Sequence, residues 1–190
     1  LIAGIAIISI ALVFALYIII SSPDFDKDKL YSKESSVLYF NDGKTELARL
    51  GQYDRVLVNY DELPEVLIDA IVATEDSRFF QHNGLDMARF AKASVGQILG
   101  NDKAGGGSTL TMQVAKQIYS NKESHGIKGI IRKFQDIYMA VFKLESNYTK
   151  EEIIEFYINS QWFGSTGSLN NSGFAGVEQA CQNFFGKSVS

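Results

Sequence analysis

The stretch Glu75-Asp76-Ser77-Arg78-Phe79-Phe80-Gln81-His82-Asn83-Gly84 sets two adjacent carboxylates at the end of an apolar run. Aromatics, a histidine and a glycine follow. A carboxylate at the rim of a buried helical face is partly desolvated, which strengthens it as a base and suits proton abstraction. Ordinary surface acids at a helix end give the same pattern, so this stretch alone leaves both readings open. His82 by itself reads as readily as a core or surface histidine, and His125, between Ser124 and Gly126, reads as loop.

A second stretch, Gly105-Gly106-Gly107-Ser108-Thr109-Leu110-Thr111-Met112-Gln113, places glycines before a helix. Backbone N–H groups at such a positive helix end make an anion site, and a diphosphate suits it. Ser108 stands where an N-cap belongs. Lys116, eight residues on, faces roughly the same side. A Walker loop is excluded, because Gly106 occupies the position its lysine needs. A flexible linker into a helix remains the plain alternative. In a third stretch, Arg132-Lys133 opens a long helix and Glu145 lies near its end. Glu145 shares the apolar face of Tyr138 and Val141, so its charge needs a cleft, a partner or a metal. Arg132 and Lys133 would also serve as a solvated helix end.

The elements that must position these residues are mostly helical. Pro64 opens a helix through Val66, Leu67, Ile68, Ala70, Ile71 and Val72. Met87, Phe90, Ala91, Val95, Ile98 and Leu99 trace a second at three-to-four spacing, and Leu110, Val114, Ala115 and Ile118 a third. Ile130 to Leu144 forms a long fourth. The last begins at a capping box, Thr149 with Glu152. Ahead of them, Val37–Phe40 and Thr45–Leu50 flank Asn41-Asp42-Gly43-Lys44, a hairpin signal. Everything beyond Pro64 has helical texture except Gly164–Gly176, which is rich in Ser, Asn and Gly and reads as a mobile loop.

The 190 residues suit one domain and an anchor. Residues 1–20 carry no charge, and a helix of that length spans roughly 30 Å, the thickness of a bilayer core. Its apolar run exceeds a signal-peptide core, and no small-residue cleavage site follows it. Residues 21–36 read as a polar stalk and 37–190 as the folded domain. A net charge of -4 argues against nucleic acid as a partner. Cys181 is the single cysteine, which excludes an internal disulfide.

Taken together, these segments resemble the peptidoglycan glycosyltransferases, family 51 of the glycosyltransferases. The resemblance rests on five signatures in order. They are Ala73-Thr74-Glu75-Asp76 with Phe79, His82 and Gly84; Gly106 through Gln113; Arg132-Lys133 with Asp136; Glu145, Lys150, Glu152-Ile153, Glu155, Tyr157-Ile158-Asn159; and Gly176-Val177-Glu178 with Phe184-Phe185-Gly186-Lys187. Met112 stands where the family more often has glutamine, removing one hydrogen bond from the cleft. Asp136 stands for the commoner glutamate. The family continues into further helices after Lys187, so the chain reads as a C-terminally truncated domain.

The resemblance implies a mostly α, lysozyme-like, two-lobed domain with a small N-terminal β-hairpin and a transmembrane helix. Its smaller lobe would dip into the membrane surface, with Met87–Leu99 as the candidate contact. It implies polymerisation of lipid II into β-1,4-linked glycan by inverting displacement of undecaprenyl diphosphate, on the extracytoplasmic face of a single-pass membrane protein. Glu75 would be the base and Glu145 a second catalytic acid. Asp76, Phe79, His82, Gly106, Gly107, Ser108, Thr109, Gln113, Lys116, Arg132, Lys133 and Asn159 would bind substrate. A divalent metal (Mg2+ or Mn2+) near Glu145 is the cofactor it admits. Partners would be lipid II, the lipid-linked strand, the membrane, and cell-wall synthesis or division proteins. A glycan hydrolase built on Glu75 and Glu145 and an inactive membrane scaffold are the competing readings.

Overall fold

The computed structural model describes residues 2–31, 36–50, 53–98, 106–118, 126–165 and 173–190. Leu99, residues 100–105 and His125 lie outside them. The chain divides into two compact units. One comprises Leu1–Phe25 with Arg78–Tyr148, the other Asp26–Ser77 with Thr149–Ser190.

The first unit begins with α1 (Ile2–Ser21), whose side chains are nearly all exposed. It is long and apolar enough to cross a membrane. It packs on α6 (Gly126–Met139): Phe14 meets Phe134 edge-to-face at 5.3 Å, and the Gln135 amide donates to Ser21 Oγ at 3.0 Å. The helix α4 (Met87–Ile98) starts at Asp86, whose side chain accepts the Arg89 N–H and whose carbonyl accepts that of Phe90. The helix α5 (Leu110–Ile118) packs on α6 and on the π-helical turn Ala140–Leu144 that extends it. The turn is closed by the Glu145 N–H donating to the Ala140 carbonyl five residues back. Leu110, Met112, Val114, Ala115, Met139, Ala140 and Leu144 form the core here, each fully buried.

The cap of α5 is Thr109, not the expected Ser108. Thr109 Oγ1 accepts the Met112 N–H and its carbonyl accepts that of Gln113. The glycine run thus ends one residue earlier than the helix needs, which frees the Ser108 hydroxyl from backbone capping. Met112 is buried in this core.

The second unit holds the expected hairpin. Strand β1 (Ser36–Tyr39) runs antiparallel to β2 (Glu46–Leu50), with Ser36 opposite Leu50. In the turn, the Asp42 carboxylate accepts the N–H groups of Lys44 and Thr45. A short helix α2 (Lys27–Tyr31) lies within the segment read as a stalk, with Leu30 buried and packed toward α7 (Lys150–Ser160). The helix α3 (Glu65–Glu75) follows Pro64 as expected.

The helical reading after Pro64 needs one correction. Strands β4 (Trp162–Ser165) and β5 (Gly173–Ala175) join β3 (Tyr53–Asp54) in a three-stranded sheet of order β3-β5-β4. The presumed loop therefore supplies a central strand, buried throughout, pairing parallel with β3 and antiparallel with β4. Residues 166–172 of that stretch lie outside the described residues. Gly176 then turns the chain at φ 86 into α8 (Val177–Phe185), where a Cβ would lie 3.3 Å from the Asn159 carbonyl.

Candidate active site

The acid belongs to the second unit. Glu75 closes α3 and is partly exposed, while Asp76 beyond it is completely buried and donates its N–H to the Val72 carbonyl. Glu75 lies within electrostatic reach of Tyr157 on α7: burial and that negative charge together push the phenol up to about 12. The phenol therefore stays protonated at any physiological pH. On the same helix, Asn159 is fully buried and clamps an extended segment. Its Oδ1 accepts the Val58 N–H at 3.0 Å and its Nδ2 donates to the Val58 carbonyl at 2.8 Å. Glu155 accepts the Tyr60 N–H next to it.

The first unit gathers the cations. Lys133 Nζ donates to Ser108 Oγ at 2.6 Å, joining α6 to the residue just before the α5 cap. Burial, and to a lesser degree the neighbouring Lys116, lower the Lys133 ammonium below its ordinary range, while Asp136 opposes them. Arg132, Lys133 and Lys116 all act on Asp136, so three cations from two helices share one neighbourhood with the positive end of α5. Gly106 is exposed, and its carbonyl accepts from Arg89 Nε at 2.9 Å. A Cβ on Gly107 would stand 3.0 Å from that of Ala93, so the glycine lets the turn lie against α4. Gln113 and His82 are partly exposed, and the His82 ring stands edge-on to Phe79 at 6.3 Å.

Thr111 Oγ1 donates to Glu145 Oε1 at 2.6 Å, which orients the second expected acid at the end of the π turn. Glu145 is only partly buried. No group of three or more His, Cys, Asp or Glu side chains occurs among the described residues. An all-protein metal cage is therefore not formed by them. One carboxylate does fit the manner in which Mg2+ is held by few protein ligands and by substrate phosphate oxygens.

Four residues expected to bind substrate are enclosed by the fold. Asp76, Phe79, Thr109 and Asn159 are buried to 1% exposure or less. Thr109 Oγ1 donates to the Gly84 carbonyl at 2.7 Å besides capping α5, and both ends of the Asn159 amide are used on Val58. The Thr109 hydroxyl and the Asn159 amide are thus engaged with buried backbone. Glu75, His82, Gly106, Gly107, Ser108, Gln113, Lys116, Arg132, Lys133 and Glu145 keep accessible surface. Sequence reasoning missed Tyr157 as a neighbour of Glu75, and Thr111 as the partner of Glu145; the second follows only from α5 packing against the π turn.

A transglycosylase family profile matches residues 43–190. The chain is similar to penicillin-binding protein 1A/1B of Bacillus subtilis, 36% identical over 176 residues, covering 93% of this chain and 18% of that protein. Similarity to penicillin-binding protein 1A of Streptococcus oralis is 34% over 174 residues, covering 92% of this chain and 26% of that protein. The chain thus spans about a fifth to a quarter of the length of these relatives. From residue 43 to residue 190, across the hairpin turn, the acid of α3 and the cations of α5 and α6, this chain belongs to the transglycosylase family.

Proposed function

We propose that this chain is a peptidoglycan glycosyltransferase that polymerises lipid II into glycan strands. The observation that carries the reading is the Lys133–Ser108 contact beside Lys116, Arg132 and the positive end of α5. Three cations and a helix terminus suit a lipid diphosphate, whereas a hydrolase acting on finished glycan has no such charge to neutralise.

In the proposed reaction, Glu75 takes the proton from the 4-hydroxyl of the acceptor sugar. The oxygen then attacks C1 of the donor sugar from the face opposite its diphosphate, forming the β-1,4 bond as the C1–O bond to the diphosphate breaks. A carboxylate assisting attack on an oxocarbenium-like centre follows the logic of inverting glycoside cleavage, with a sugar hydroxyl in place of water. Lys133, Lys116 and Arg132 meet the charge that develops on the leaving diphosphate, so it departs without strong protonation. Glu145, held by Thr111, is the second acid. A divalent cation bound there would supply further charge neutralisation. The apolar α1 suits a single-pass membrane anchor with the transferase on the extracytoplasmic face, where cell-wall synthesis or division proteins would be partners.

Glu75→Gln tests the reading. The variant should fold normally, as seen by circular dichroism, and lose at least about a hundredfold in the rate of polymer formation from lipid II. Polymerisation at the parent rate would remove Glu75 as the base.

A further inference from the structure

We infer that Asp136 couples occupation of the diphosphate site to uptake of one proton from solvent. The inference rests on the proposed function, because it concerns the same cationic cluster. Asp136 stands on α6 one turn beyond Arg132 and Lys133, with 6% of its surface exposed. Its Oδ1 is buried and has no hydrogen-bond partner among the described residues. An ionised carboxylate in that position is held by nearby positive charge alone. The Lys133 ammonium, one source of that charge on its own helix, gives a hydrogen bond to Ser108 instead.

Around Asp136, its own helix contributes Lys133 and Arg132, and α5 contributes Lys116. On the π turn that follows α6, Lys143 pairs with Asp24, and Glu145 beyond it accepts from Thr111. The helix α1, packed on α6, has no ionised side chain. Burial pushes the carboxyl up to about 6 against the pull of those three cations. A diphosphate bound by the same cations sets its own negative charge against the carboxylate and offsets what kept it ionised. Protonating Asp136 relieves that repulsion, so bound anion and bound proton favour each other. Reciprocity of the two binding events then makes anion affinity rise as pH falls.

The test uses the full chain in detergent micelles and a short-chain prenyl diphosphosugar. The phosphates of this diester keep a constant charge across the neutral range. Calorimetric titration in buffers of different ionisation enthalpy counts the protons taken up. The expected result is close to one proton per probe above about pH 7, with affinity falling up to about tenfold per pH unit through that range. Asp136→Asn should bind the probe at high pH more tightly than the parent, with a flat pH profile. A purely structural carboxylate would give the opposite, weaker binding by the variant. Binding without proton uptake by the parent, or weaker binding by a folded Asp136→Asn, overturns the inference alone. A parent protein that leaves the probe unbound at every pH overturns the diphosphate assignment as well.

Discussion

Replacing Asn159 separates an architectural residue from a substrate ligand. Asn159→Ala removes both partners of Val58, whose N–H and carbonyl are otherwise paired at 3.0 and 2.8 Å beneath a buried side chain. Each buried backbone group left unpaired costs about 1–3 kcal/mol, so the loss is roughly 4 kcal/mol with a small further term for the void. A total stability of about 5–15 kcal/mol makes that a large fraction. For a chain of this size it corresponds to a fall of roughly 8–16 °C in melting temperature. Trp162 lies in the same unit, so its fluorescence during heating in detergent follows the relevant transition. Asn159→Asp should do no better: it keeps the acceptor for the Val58 N–H but sets an oxygen against the Val58 carbonyl. Under this reasoning the KM for lipid II, measured well below the transition, stays near the parent value. A melting temperature within about 2 °C of the parent, joined to a raised KM, would refute it and return Asn159 to the substrate.

Other changes test other joints of the structure. Gly84 has φ +82, and a Cβ there would stand 2.8 Å from the Ala140 carbonyl carbon. Gly84→Ala should therefore lower stability by about 2–4 kcal/mol in urea unfolding, through strain and overpacking at the π turn. Thr111→Val removes the hydrogen bond to Glu145. If Glu145 is catalytic, polymerisation should drop at least about tenfold while stability falls by only about 1 kcal/mol. Burial raises the Glu178 carboxyl, but bonds from the Val189 N–H, Gln182 and Ser188 outweigh it and hold the group below its ordinary value. A depressed folded value stabilises the protein above the unfolded pKa and is lost as pH falls through the folded one. Melting temperature in acid should accordingly fall less steeply for Glu178→Gln than for the parent.

What could be read directly from the sequence is whatever short-range physics determines. Three-to-four apolar spacing located α3, α4, α5 and α6 to within a few residues. The Thr149–Glu152 capping box opens α7 as written, with the Glu152 N–H on Thr149 Oγ1 and the Thr149 N–H on Glu152 Oε2. Asp42-Gly43 makes the hairpin turn. Each signal sits within a handful of residues, so no knowledge of the rest of the chain is needed.

Packing between distant segments decided the rest. The pairing of Tyr53-Asp54 with Gly173-Phe174 joins residues far apart in sequence, and two short strands carry too little periodicity to announce it. The N-cap moved from Ser108 to Thr109 because Thr109 also reaches the Gly84 carbonyl, and that left Ser108 for Lys133. That Thr109 and Asn159 bond buried backbone is not legible in the sequence, since a polar side chain has the same letter whether it faces a sugar or a backbone amide. Burial distinguishes the two, and burial is a property of what packs around a residue rather than of the residue itself.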